Sequence, residues 1–143
     1  MKYTQTHNTY IIKIEKEEEV FDTLITFCKK ENIANAHFSG IGAVEHISCG
    51  YYALSEKQYH FKQYDGLYEV ASMTGNVTQK DGEPMLHVHA VFTDEENQAF
   101  GGHVESMRVG VVLEVIVEVL DTNIERELDE VIGLFLMNCP NSH

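Results

Sequence analysis

Two histidines one residue apart stand in Leu86-His87-Val88-His89-Ala90. In an extended strand, residues i and i+2 face the same way. Both imidazoles therefore leave one face, while Leu86, Val88 and Ala90 pack into the other. Two imidazoles a pleat apart can grip a single divalent metal. A third candidate ligand is His103, which follows Gly101-Gly102. Glycine removes side-chain bulk and permits positive φ, so the spacing predicts a glycine-softened loop that turns His103 toward the pair. Three imidazoles with a fourth position open form the donor set of a catalytic zinc-type site; closed structural sites use four protein ligands. Hydrogen bonding within a core or an interface is the competing use of such histidines. Neutral imidazoles bind metal and protonated ones do not, which sets acid release of the metal near the ordinary histidine pKa of ~6.5.

Glu69 is the second candidate. It lies in Leu67-Tyr68-Glu69-Val70, and strand alternation puts it on one face with Ala71 and Met73, opposite Val70 and Ser72. A carboxylate there is solvated at a strand edge or buried with a partner. It could serve as a fourth ligand, as an acceptor behind one, or as a general acid/base. Gly40-Ile41-Gly42 reads as a bulge, a ligand cradle or a packing point. It lacks the third glycine of a dinucleotide fingerprint, so nucleotide binding is set aside. Asp94 to Asn97 reads as a solvated hairpin loop. His7, His37, His46, His60 and His143 read as surface residues. Cys28, Cys49 and Cys139 contain no C-x-x-C pair and are odd in number, which excludes a full disulfide framework. A reducing compartment and idle or buried thiols are expected.

These residues need elements to position them. Thr9 to Ile14 reads as a strand with Tyr10, Ile12 and Ile14 on one face. A helix is predicted over Glu17 to Glu31, where Val20, Phe21, Leu24, Phe27 and Cys28 recur at helical spacing. Acidic residues at its start and Lys29 and Lys30 at its end suit the helix dipole, and Asn32 is a plausible stop. Strands are predicted at Ala36–Val44, Ile47–Leu54, Tyr59–Gln63, Tyr68–Thr78, Met85–Phe92 and Val109–Leu120, with turns at Asp65-Gly66, Asp81-Gly82 and Asp94 to Asn97. In the long last strand, Val111, Leu113, Val115, Val117 and Val119 share a face. Ile132 to Met137 could close the fold. One helix among many strands predicts an α+β fold: a mostly antiparallel twisted sheet, or a barrel-like core.

The chain has 143 residues, 43% of them apolar, enough for one domain with a real core over residues 1–143. With 23 Asp and Glu against 10 Lys and Arg, the formal net charge is -13. Such a surface repels phosphate backbones and anionic lipid, so autonomous nucleic-acid or membrane binding is not expected. Met1 to Tyr10 lacks the apolar region of a signal peptide, and no stretch approaches a membrane span. The expected address is the cytoplasm.

Taken in order, Gly40-Ile41-Gly42, Gly50-Tyr51-Tyr52, Tyr68 to Asn76, Leu86 to Ala90 and Gly101-Gly102-His103-Val104 resemble the PPC (plants and prokaryotes conserved) domain family over about residues 8–137. The resemblance implies a compact α+β homotrimer, similar in fold to acetolactate decarboxylase, where a histidine triad holds zinc. It carries the metal-type histidines to His87, His89 and His103, and the motif carboxylate to Glu69. It implies a divalent metal, zinc first; a small-molecule ligand is a further possible partner. Three roles follow as expectations: a metal-binding trimer with a partner-binding or structural role, a metal-dependent lyase or hydrolase with Glu69 as acid/base, or a transcription-linked adaptor. The family's "DNA-binding" label derives from plant members with an Arg-Gly-Arg-Pro minor-groove element, which is absent from this sequence.

Overall fold

Alternating apolar residues build nine strands and one helix in the computed structural model, which describes residues 1–139. The strands are β1 (Lys2–Thr6), β2 (Thr9–Glu15), β3 (Ala36–Ala53), β4 (Gln58–Tyr64), β5 (Tyr68–Lys80), β6 (Glu83–Thr93), β7 (Ala99–Val119), β8 (Glu125–Asp129) and β9 (Leu134–Asn138); helix α1 (Val20–Glu31) joins β2 to β3. One sheet holds all nine strands, in the order β1-β2-β7-β3-β5-β8-β9, with β4 on β3 and β6 between β5 and β7. Because β3 also pairs with both β5 and β7, the pairing β3–β5–β6–β7 returns to its start. Pairing is antiparallel except between β5 and β8. The α+β expectation of a mostly antiparallel sheet with one main helix holds.

The core lies between α1 and the inner face of the sheet. Ile12 and Ile14 of β2, Phe38, Val44 and Ile47 of β3, and Leu113, Val115 and Val117 of β7 are buried against Val20, Leu24, Phe27 and Cys28 of α1. Each large apolar side chain removed from water contributes roughly 1.5–3 kcal/mol. Asn32 stops the helix as expected, in the left-handed region at φ 55, ψ 41.

Several boundaries differ from expectation, each for a local reason. The helix starts at Val20, not Glu17. Glu17 has φ 72; its N–H donates to Val109 O at 2.8 Å, and Val109 N–H donates to Glu18 O at 3.0 Å. The acidic run is thus pinned to β7 before the helix begins. Ala36–Val44 and Ile47–Leu54 are one strand, β3, because β5 pairs with its first half, β4 with its second, and β7 runs along both. The irregularity at Glu45 to Ser48 is a register shift against β7. β7 begins ten residues before Val109, at Ala99, so His103 arrives on a strand and not on a loop. β1 and β8 lie outside the expected strands, and the closing strand runs Leu134–Asn138. Val111 leaves the shared buried face because β7 bulges against β3 between Val109 and Leu113; it is 56% exposed. No helix among the described residues is long and apolar enough to cross a membrane.

Candidate metal centre

His89 and His103 are direct partners across the β6–β7 ladder, and His87 sits one pleat along β6. Leu86, Val88 and Ala90 are buried behind them, as the alternation required. The glycines before His103 serve close approach. A Cβ on Gly101 would stand 2.3 Å from Ala90 O, and one on Gly102 would stand 2.6 Å from Gly50 O. Only bare backbone lets β7 run between β6 and β3 at this point. The result is three imidazoles whose ligand atoms all lie within 4.8 Å of one another, with ring centroids 5.1–5.5 Å apart. Two zinc–nitrogen bonds span about 4 Å, so small side-chain rotations bring the set onto one ion.

The surroundings of His87 and His103 favour the neutral imidazole. Burial first, then the charges of His87 and His89, push the His103 pKa down to about 4. Burial, then the Arg126 guanidinium, then His89, hold His87 below its usual value. The Nδ1 of His103 is buried and has no partner. An unsatisfied buried polar atom costs roughly 1–3 kcal/mol, a cost a bound ion can offset. The donor set, the depressed basicity and the orphaned nitrogen together fit a divalent metal. Tyr59 of β4 stacks on His103 with centroids 4.4 Å apart, which fixes the plane of that ring.

Four neighbours of the histidines lie outside the expected site. Tyr59 and Phe61 flank His103; their i, i+2 aromatic spacing was a usable signal. Asn76 stands opposite His87 in the β5–β6 ladder. Arg126, on β8, donates to Asn76 Oδ1 at 2.9 Å; nothing in its local sequence marks it.

Glu69 is not brought to this face. It pairs with Thr93, whereas His89 pairs with Thr74; four to five residues of strand separate them, about 13–17 Å. A bulge between Val70 and Ser72 breaks the alternation, so Met73 is buried while Glu69 and Ala71 are exposed. Glu69 lines a cavity of about 430 Å³ with Ile41, Gly42, Val112 and Glu114. A cavity of about 660 Å³ is lined by Ile11, Ile41, Met73 and Ile116 among others; none of the three histidines lines it. Gly40-Ile41-Gly42 is a bulge, with register shifts on both sides. Asp94 caps its own loop, accepting from Glu96 N at 3.0 Å and Gln98 N at 2.8 Å.

His7, His37, His46 and His60 are exposed; His143 lies outside the described residues. Cys28 and Cys49 are buried and Cys139 is exposed. Burial pushes the Cys28 thiol up to about 12, which leaves it without nucleophilic character near neutral pH.

A family model, the Plants and Prokaryotes Conserved (PCC) domain, matches residues 1–121. None of the curated proteins compared with the chain matches it. Among solved structures, a plant- and prokaryote-conserved (PPC) protein of Pyrococcus horikoshii is 33% identical, with TM-score 0.87 over 99% of this chain and 97% of that one. A protein of Ralstonia eutropha, provisionally named DNA-binding, is 31% identical, with TM-score 0.90 over 97% and 96%. A metal-containing protein of Archaeoglobus fulgidus is 28% identical, with TM-score 0.85 over 96% and 99%.

Proposed function

The chain belongs to the Plants and Prokaryotes Conserved domain family, and from that premise we propose that it is a homotrimeric, cytoplasmic protein that binds one divalent metal per chain, zinc first, through His87, His89 and His103. The observation that carries the metal reading is the convergence of three imidazole donors on one face, with the buried Nδ1 of His103 left unpartnered. The metal-containing relative from Archaeoglobus fulgidus supports it.

A divalent ion held there would polarise a carbonyl or acidify a water molecule. The chain's own residues supply the rest. β6 fixes the spacing of His87 and His89, Tyr59 fixes the plane of His103, and burial disfavours protonation of His87 and His103. His89 is exposed, so a small molecule can reach the donors from solvent. That exposure favours, as a second reading, a metal-dependent small-molecule lyase or hydrolase. Glu69 as its acid/base has no support within one chain, given its separation from the histidines. What supports the trimer is an apolar outer face in which Ile11, Ile41 and Ile116 are each more than half exposed.

Elemental analysis of tag-free protein purified without chelator tests the metal reading. One divalent ion per chain is expected, falling below about a tenth in His87→Ala, His89→Ala or His103→Ala, because two imidazoles alone hold an ion poorly. Glu69→Gln is expected to keep its metal. One ion per chain retained by the triple His→Ala variant overturns the assignment.

A further inference from the structure

Arg126 is the one charged residue buried among the described residues, 8% exposed, in a chain with net charge -13. A guanidinium taken out of water is costly unless a counter-charge meets it. Acidic residues are plentiful here, yet among the described residues none forms an ion pair with Arg126; Arg108, by contrast, meets Glu45 at 3.0 Å. The partners of Arg126 are all neutral. Its Nε donates to Thr78 Oγ1 at 2.7 Å, one terminal nitrogen to Phe135 O at 3.0 Å, and the other to Asn76 Oδ1 at 2.9 Å. A guanidinium has five N–H donors. Three are engaged, which leaves one on each terminal nitrogen. Three neutral acceptors thus hold the group rigid while its charge stays unanswered.

The position gives that charge a use. Asn76 faces His87 across the β5–β6 ladder, so the guanidinium is one side chain from the three-histidine face. The hairpin that carries it is tied in place by Tyr52, whose hydroxyl donates to Ile132 O at 2.6 Å, and by Lys57, whose Nζ donates to Glu130 O at 2.7 Å. β8 lies beyond the residues matched by the family model.

We propose that Arg126 determines specificity by receiving the carboxylate of a small organic acid whose other end rests against His87, His89 and His103; the location of the ligand rests on the metal-site reading above. A planar carboxylate accepts two N–H groups from one guanidinium, and a neutral analogue leaves the buried charge unmet.

Calorimetric titration of the zinc-loaded full chain with lactate, and with its uncharged analogue lactamide, tests this. Lactate is expected to bind at least about tenfold more tightly than lactamide, as for a charge-assisted pair against a neutral one. Arg126→Gln is expected to keep one zinc per chain and lose the preference. Arg126→Lys, which keeps the charge without the fork, is expected to retain part of it. Equal binding of lactate and lactamide to the unaltered protein overturns the proposal without any variant, as does binding of neither. An Arg126→Gln protein that holds zinc and keeps the full preference overturns it too. Should the unaltered protein hold no zinc, the metal reading falls by itself. The same titrations on the zinc-free chain then decide on Arg126: a lactate preference that Arg126→Gln abolishes upholds its role, and no preference refutes it.

Discussion

His103 is neutral in the folded chain down to about pH 4, whereas an unfolded histidine titrates near ~6.5. Between those values the unfolded chain binds more protons than the folded one, so stability rises with pH across that window. The contribution is complete above the unfolded value and is lost as the pH falls toward the folded one. Metal-free protein is therefore expected to unfold at lower urea concentration near pH ~5 than near pH ~7.5, and His103→Gln to flatten that difference. The same depression moves acid release of a bound metal below the ~6.5 set by unperturbed imidazoles. His87 and His89 were legible as a pair because strand alternation leaves no choice of face. His103 was legible by type and not by setting, since two glycines signal a loop as readily as a close strand crossing. Arg126 carried no signal: a lone arginine between two glutamates reads as a solvated residue, and only tertiary packing buries it.

The glycine pair makes the claim about strand crossing testable. Gly101→Ala places a Cβ against Ala90 O, a backbone atom with no rotamer to escape to. The expected cost is about 1–3 kcal/mol, read by urea unfolding, with reduced metal occupancy because β6 and β7 are pushed apart where His89 and His103 meet. The long strands explain which elements the sequence disclosed. β2 and β6 follow alternation and stand within a few residues of expectation, as do the bounds of β5. β3 and β7 change partners along their length, and each change needs a bulge that scrambles the period-2 pattern. Strict alternation over Tyr68–Thr78 puts Ser72 with Val70 and Met73 with Glu69, but the extra residue near Ala71 turns Ser72 outward and Met73 inward. β1 shows little pattern because only Tyr3 turns in, packing on Phe27 with centroids 5.0 Å apart. β8 is too short to show a pattern at all.

Taken together, the exposed isoleucines and the acidic surface lead to two expectations. Light scattering at micromolar concentration is expected to give three times the 16.3 kDa chain mass; a clean monomer mass removes the assembly. Apolar faces of this extent are seldom left to water. Such a trimer carries a formal charge near three times -13, and without a basic arm nothing releases counterions from a duplex. No retention of labelled duplex DNA is expected at physiological salt, and tight, salt-sensitive retention would refute this. β2 pairs with β7 near the far end of the chain, where Thr9 faces Glu118. A ribosome adds about 5–20 residues each second, so β2 is made roughly 5–20 s before its partner exists. Through that interval its outer edge can pair with any passing strand. The β1–β2 hairpin closes one side early, and Lys2 meets Glu15 at 3.1 Å there, but the other side waits for nearly the whole chain. Translation speed therefore sets how long the nascent protein is exposed to aggregation. A chaperone that holds the unpaired edge of β2 is expected to raise the yield of folded chain more than one that acts after release.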